Sequence, residues 1–203
     1  MTSSKDKDRI VGMRKGLTKY GDDEFALFLR KSFIKGAGYG DEALSRPVVG
    51  IINTGSDFNP CHGNAEELIE RVKAGVEASG ALPMTFPTIS LHESFSFPTS
   101  MYLRNLMAMD TEEMLRALPL DSVVLIGGCD KTVPAQIMGA LSADIPFVQL
   151  VTGPMRTAVS AARGWGPVPI VAVCGQNIVL AIWMMRPLQM PITHLCRLLV
   201  RAG

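Results

Sequence analysis

The sequence predicts an α/β fold, a parallel sheet with flanking helices, on two observations. Four short apolar runs, several of them rich in β-branched residues, recur at residues 48–52, 81–89, 122–126 and 146–151. Segments with the apolar spacing of helices separate these runs, which is typical of parallel strands joined by right-handed crossovers. A chain of 203 residues is also long enough to bury one sizeable core.

Helices are predicted before and between the strands, over residues 23–33, 64–78, 99–107, 111–117 and 133–142. The pattern is clearest in 64–78, where apolar residues recur at i, i+3, i+4 and i+7 from Ala65. Asn64 is expected to cap this helix, because its side-chain oxygen can accept a hydrogen bond from the first turn.

Composition divides the chain into three parts: a charged, helical N-terminal arm (1–46), an α/β domain (47–157) and an apolar tail (158–203). All 19 acidic residues lie at or before Asp144, and arginine is the only charged residue type in the tail. A membrane-spanning helix is not favoured in the run 168–185, because prolines, a glycine and a Gln-Asn pair interrupt it. The tail therefore differs in kind from the rest of the chain.

Charge and cysteine content exclude some classes of protein. A net charge of +1 gives no electrostatic basis for binding nucleic acid. The first residues of the chain are charged and lack the apolar core of a signal peptide. Four cysteines in a chain of this kind indicate a reducing compartment, so we expect a cytoplasmic protein that does not bind membranes.

Candidate metal ligands follow three of the predicted strands. Cys61 lies in a polar loop after the first strand, Glu93 follows the second, and Cys129, Asp130 and Lys131 follow the third. Loops at the carboxyl ends of parallel strands converge on one crevice, so these side chains are expected to lie together. Thiols, carboxylates and a lysine in one crevice indicate an enzyme with a metal centre.

The kind of metal centre has alternatives. A lone Cys61 would more often be a buried apolar thiol than a ligand, although its turn-rich loop places it near a crevice. A structural zinc site is weakly supported, because no Cys-x-x-Cys pair occurs. Thiolates from separate loops, Cys61 and Cys129, suit an iron–sulfur cluster at least as well. Glu93 and Asp130 are hard oxygen donors of the kind that Mg²⁺ or Mn²⁺ prefers.

The remaining histidines and cysteines near apolar runs are not expected to bind metal. His62 and His92 are interpreted as hydrogen-bonding or packing residues beside the ligands. Cys174 and Cys196 lie on apolar runs of the tail and are interpreted as non-ligands. The sequence contains no glycine-rich nucleotide-binding motif.

Several motifs together resemble the dihydroxy-acid and sugar-acid dehydratase family. They are Gly50-Ile-Ile-Asn-Thr, Asn59-Pro-Cys-His62, His92-Glu-Ser-Phe, Pro98-Thr-Ser-Met-Tyr-Leu-Arg-Asn105, Gly127-Gly-Cys-Asp-Lys-Thr-Val-Pro134 and Gly153-Pro-Met155. The resemblance covers roughly residues 10–157, and the Gly-Gly-Cys-Asp-Lys-Thr-Val-Pro element is highly specific. The Glu-Ser-Phe version of the middle motif is most similar to the arabonate-type pentonate dehydratases.

The resemblance implies a 2Fe-2S cluster held by three cysteines, next to a Mg²⁺ ion. By motif, Cys61 and Cys129 would be cluster ligands, and Glu93 and Asp130 would bind Mg²⁺. Lys131 would be the catalytic residue that binds Mg²⁺ as its carbamate, because a cationic lysine would repel the ion. The resemblance also implies a homo-oligomer for a full-length member.

The implied reaction removes water from a 2,3-dihydroxy sugar acid and gives a 2-keto-3-deoxy acid. A branched-chain dihydroxy-acid dehydratase of amino-acid biosynthesis is the alternative within the family. A non-catalytic metal-binding module is the alternative from a different class of protein.

The chain departs from the family after Met155. Members run to several hundred residues, with a β-rich second domain that bears a serine base and another Mg²⁺-binding glutamate. These groups and the third cysteine are absent here, so the 203-residue chain is expected to be an inactive, truncated form.

A shifted reading frame that begins near Ala158 would explain the tail. Residues 161–173 can be encoded so that reading from the third base gives Gly-Glu-Arg-Leu-Gly-Ala-Cys-Thr-Asp-Cys-Arg-Arg. That stretch is typical of the family at this point. Residues 200–203 can contain Thr-Cys-Gly in the same frame, which would restore the third cysteine.

Overall fold

The computed structural model describes residues 10–18 and 21–153, and within them four strands form one parallel sheet. The strands are β1 (Val48–Asn53), β2 (Leu82–Pro87), β3 (Ser122–Ile126) and β4 (Phe147–Leu150). Their order is β2-β1-β3-β4, and each neighbouring pair is parallel. The predicted α/β class, a parallel sheet with flanking helices, is confirmed.

Five α-helices accompany the strands in the described part of the chain. They are α1 (Asp23–Gly36), α2 (Asp41–Leu44), α3 (Ala65–Ala78), α4 (Ser100–Ala117) and α5 (Thr132–Ser142). Short 3-10 turns lie at Gly12–Arg14, Pro60–His62 and Glu93–Phe95. The last two turns are in the loops that hold the candidate ligands, so the structure gives these loops local order.

Two predictions about helices were wrong. Helix α4 is continuous, where two helices were predicted, because it contains neither glycine nor proline. Asp110, at the predicted break, accepts a hydrogen bond from the backbone of Ile89 at 2.8 Å and does not interrupt its own helix. Asn64 precedes α3 but makes no capping bond, since its backbone (ψ 9°) is not extended. Its amide instead donates to the Thr152 carbonyl at 2.7 Å.

Apolar residues cover both faces of the sheet. One face packs against α4, α5 and the N-terminal arm, and its buried side chains include Val48, Ile52, Val123, Leu125 and Phe147. The other face packs against α3, and the buried side chains there include Val49, Ile51, Val124 and Ile126 of the sheet with Ile69 and Val72 of the helix. Strands β1 and β3 are therefore buried on both faces, as is usual for central parallel strands.

The N-terminal arm joins the same core. Met13 and Leu27 are buried in the cluster on the α4 and α5 face. The carboxylate of Asp121, at the start of β3, accepts hydrogen bonds from the backbone of Gly12 and Val48, each at 2.8 Å. These contacts fix the arm to the amino end of the sheet.

The apolar tail that the sequence sets apart, residues 158–203, lies outside the described residues. Within the described residues, no helix is both long enough and apolar enough to span a bilayer.

Candidate metal centre

The strand order places a switch point between β1 and β3. The chain leaves β1 toward β2 on one side and then crosses to β3 on the other side of β1. In open α/β sheets the crevice at such a point, outside the carboxyl ends of the strands, is where ligands bind. The loops that follow β1 and β3 are the two that hold Cys61 and Cys129.

Cys61 lies in the 3-10 turn after β1 and is 4% exposed. Its carbonyl accepts a hydrogen bond from the Thr152 hydroxyl at 2.7 Å, which joins this turn to the loop after β4. The thiol is thus more buried than the position of its loop near a crevice suggested.

His62 connects the two cysteine loops directly. Its ring is buried, and Nε2 lies 2.8 Å from both the backbone nitrogen and the carbonyl oxygen of Gly128. Its Nδ1 lies 2.8 Å from the Thr54 carbonyl. With the proton on Nδ1, the ring donates to Thr54 and accepts from the Gly128 N–H, so both nitrogens are satisfied. The interpretation of His62 as a hydrogen-bonding residue beside the ligands agrees with this geometry.

Gly128 is a glycine because the two loops pack closely. A Cβ at this position would overlap the Thr152 hydroxyl and lie 3.3 Å from the Cys61 carbonyl. A glycine pair such as Gly127-Gly128 commonly lets the backbone approach a bound group closely. At Gly128 the room is instead used by the neighbouring protein loop.

Cys129 follows in the left-handed region, with φ 78°, which few residues other than glycine adopt. Its thiol is half-buried and lies 3.4 Å from a carboxylate oxygen of Asp130. An unfavourable backbone conformation persists only where surrounding contacts impose it, and such residues cluster at functional sites.

Glu93, Asp130 and Lys131 meet at one point. The Lys131 amine is 3.0 Å from Glu93 and 2.5 Å from Asp130, although Glu93 lies on the loop after β2. The lysine side chain is 13% exposed, whereas the carboxylates are 62% and 65% exposed. The hydrogen bond from Lys131 lowers the pKa of Asp130, and the hydrogen bonds to Asp130 and Glu93 raise the pKa of Lys131.

Hydrogen bonds also attach the Glu93 loop to the loop after β1. The Ser90 hydroxyl donates to the Thr54 carbonyl at 2.7 Å, and the Asn59 amide donates to the Leu91 carbonyl at 3.0 Å. Sequence reasoning did not identify the contacts of Thr54, Asn59 and Thr152. The available signal was that Thr54 and Thr152 lie within two residues of the carboxyl end of an apolar strand.

The donor set fits the groups that the motifs imply. Cys61 and Cys129 provide thiols on two loops in contact, and two carboxylates converge on the Lys131 amine. Within residues 10–18 and 21–153, no group of three or more His, Cys, Asp and Glu side chains is arranged as a metal site. A carbamate on Lys131 would add the further oxygen donor that the two carboxylates lack.

Comparison with known proteins identifies the family. Residues 46–179 match the family model for the dihydroxy-acid/6-phosphogluconate dehydratase N-terminal region. The chain belongs to this family. The family is one of hydro-lyases, as the motifs implied. The matched region overlaps the first part of the tail, 158–203.

The names of three relatives agree with this assignment. L-arabinonate dehydratase of Rhizobium leguminosarum is 43% identical over 137 residues, which are 67% of this chain and 24% of that protein. The 6-deoxy-6-sulfo-D-gluconate dehydratase of Pseudomonas putida is 47% identical over 115 residues, 57% of this chain and 20% of that protein. Dihydroxy-acid dehydratase of Methanococcus vannielii is 39% identical over 132 residues, 62% of this chain and 24% of that protein. The chain therefore spans a quarter or less of the length of these relatives.

Proposed function

We propose that this chain is the metal-binding part of a hydro-lyase that dehydrates a 2,3-dihydroxy sugar acid to a 2-keto-3-deoxy acid. The observation that carries the proposal is the convergence of Glu93 and Asp130 on Lys131, beside the two cysteine loops. Three charged side chains from two loops, in the crevice of a parallel sheet, have no evident role in stabilising the fold.

Lys131 would hold Mg²⁺ as its carbamate, together with Glu93 and Asp130. A carbamate forms when the neutral amine adds to CO₂ and releases a proton, and it exchanges a cation for anionic oxygens. In the structure the carboxylates hold Lys131 in its charged form by raising its pKa. When bound, Mg²⁺ would polarise the carboxylate and 2-hydroxyl of the substrate and make the proton on C2 more acidic.

Cys61 and Cys129 would provide two of the thiolates of a 2Fe-2S cluster. The chemistry that such a cluster supplies when bound is that of a Lewis acid toward the departing 3-hydroxyl. The protein holds the two thiols on loops that contact each other through His62 and Thr152. Fixed loops of this kind present ligands without a large cost in ordering.

The substrate class rests on the names of the relatives. One relative at 43% identity is an L-arabinonate dehydratase, and another at 47% is a sulfogluconate dehydratase. A branched-chain dihydroxy acid is the alternative substrate, since dihydroxy-acid dehydratases match at 39% identity.

Activity should be assayed on two forms: the 203-residue chain and a long form whose coding sequence continues in the alternative frame to the length of the relatives. We expect the long form to give a 2-keto acid from L-arabinonate and little from a branched-chain 2,3-dihydroxy acid. The opposite preference would assign it to the alternative branch. The same assay tests the expectation that the 203-residue chain is inactive.

Lys131→Ala in the long form tests the Mg²⁺ assignment. Activity should fall by at least about 10³-fold, because groups that act as a unit fail together. Small carboxylates should partly restore it by replacing the carbamate oxygens. Lys73→Ala is the matched control, since Lys73 forms an ion pair with Glu70 on α3, away from the cysteine loops. Turnover close to wild type in Lys131→Ala would show that the ion is held elsewhere.

We make two further proposals, one on the origin of the tail and one on the location and oligomeric state of the protein. A frame change near Ala158 is tested by the nucleotide sequence that spans codons 150–203. Codons that permit the charged stretch typical of the family would support the frame change, and codons that forbid it would contradict it. We also propose a cytoplasmic homo-oligomer that binds no nucleic acid.

A further inference from the structure

We propose that His62 is a positioning residue for Cys129, which it holds in the left-handed conformation through the hydrogen bond that its ring accepts from the Gly128 N–H. The proposal rests on the proposed function in one respect, namely that Cys129 matters as a cluster ligand. It concerns a contact that involves no metal, so it can be tested on the metal-free chain.

The contact is suited to fixing the direction of Cys129. His62 Nε2 lies 2.8 Å from each polar backbone atom of Gly128, the residue directly before Cys129. The ring accepts from the Gly128 N–H and its edge lies against the Gly128 carbonyl, so it limits the backbone conformation of the residue before Cys129. Since φ 78° is unfavourable for a residue other than glycine, the conformation of Cys129 depends on contacts of this kind.

The other side of the ring is fixed as well. His62 Nδ1 lies 2.8 Å from the Thr54 carbonyl, and the Thr54 hydroxyl donates to the Ile126 carbonyl at 2.9 Å. Ile126 is the last residue of β3, and Thr54 directly follows β1. The ring is thus held between two central strands, and a rigid support is what a positioning residue requires.

His62 also stands next to Cys61 in the chain. The ring of His62, the residue after Cys61, therefore contacts Gly128, the residue before Cys129. His62 thus links the two cysteine loops, although 66 positions separate His62 from Gly128 in the sequence.

Two substitutions of His62 distinguish the hydrogen bond at Nε2 from the hydrogen bond at Nδ1. In His62→Gln the side-chain amide reaches about as far as Nε2 and can keep the bond to Gly128. In His62→Asn the amide lies near the place of Nδ1, so it can keep the bond to Thr54 but not the bond to Gly128. Both variants remove a buried ring, so they should lose similar stability.

The experiment uses the metal-free 203-residue chain and two readouts, each resolved by peptide mass spectrometry. These are the hydrogen exchange of the Gly128 amide and the rate at which iodoacetamide alkylates Cys129. In His62→Asn both should rise about tenfold, the size expected for loss of one ordinary hydrogen bond. In His62→Gln both should stay within about threefold of wild type. Val76→Ala, a buried change on α3 far from these loops, controls for a general loss of stability.

Equal rates in His62→Asn and wild type would overturn the proposal. Equal acceleration in both histidine variants would overturn it too, because the effect would then come from loss of the ring and not from the Gly128 bond. If neither variant folds, the wild-type chain still decides the matter by NMR. A scalar coupling between the Gly128 amide nitrogen and His62 Nε2 is expected, and its absence would contradict the proposal.

The proposed dehydratase function is tested by a different experiment from the role of His62. A long form that dehydrates neither substrate class would reject that function. The exchange and alkylation rates would still show whether His62 holds Cys129.

Discussion

The two ends of the sheet use acidic residues in different ways. At the amino end, Asp121 is 6% exposed, accepts two backbone hydrogen bonds at 2.8 Å and lies 3.4 Å from the Lys15 amine. At the carboxyl end, Glu93 and Asp130 are more than half exposed, and the group that brings them together is the Lys131 amine.

This difference in exposure distinguishes a carboxylate that holds the fold together from one that is accessible to a ligand. The oxygens of Asp121 are occupied by backbone groups and a lysine, so a ligand would have to displace bonds that hold the N-terminal arm. Glu93 and Asp130 have oxygens exposed to solvent, and the Lys131 amine is the group with which both carboxylates pair. The carboxyl end is therefore the end at which carboxylate oxygens are accessible to a ligand.

Asp121→Ala should have the largest effect on stability. The change leaves the buried N–H groups of Gly12 and Val48 without their acceptor, so we expect a loss of about 3 kcal/mol. Asp130→Ala should change stability by less than about 0.5 kcal/mol, because the Asp130 carboxylate is itself 65% exposed to solvent. Urea unfolding with an unchanged m-value would measure both. If both variants lost the same free energy of unfolding, the carboxylates at the two ends of the sheet would not differ in their structural role.

Gly128→Ala should have the next largest effect. The added Cβ would overlap the Thr152 hydroxyl, and the expected cost is about 1–3 kcal/mol. Removing that hydroxyl in the double variant with Thr152→Ala should recover part of the loss. Gly63→Ala is the matched control, since its Cβ would approach only the Pro60 carbonyl, at 3.4 Å. A Gly128→Ala variant as stable as this control would show that the loops are not closely packed.

The sequence predicted the strands well, because central parallel strands such as β1 and β3 are apolar on both faces. It also placed Glu93, Asp130 and Lys131 at one edge of the sheet, since every parallel strand delivers its following loop there. It could not predict that Gly128 makes room for Thr152 or that His62 contacts Gly128. Those contacts depend on how distant loops pack, and no local spacing encodes them.

Asn64 shows the same limit on a smaller scale, and its substitution should have a smaller effect than Asp121→Ala or Gly128→Ala. Asn64→Ala should cost about 1 kcal/mol, the worth of its bond to the Thr152 carbonyl. Asn64→Ser should cost as much, because serine caps helices well but cannot reach that carbonyl. Thermal unfolding of both variants measures this. A serine variant as stable as wild type would restore the role of Asn64 as a helix cap.

We propose above that Cys61 and Cys129, at the carboxyl end of the sheet, hold an iron–sulfur cluster. The most direct measurement is the iron content and visible absorbance of the long form after anaerobic incubation with iron and sulfide. Cys61→Ala and Cys129→Ala should each abolish the absorbance, whereas Val76→Ala, a buried change elsewhere, should keep it. Unchanged iron content and an unchanged spectrum in either cysteine variant would contradict the claim. Stoichiometric zinc without iron–sulfur absorbance in the unaltered protein would favour a non-catalytic metal-binding module instead.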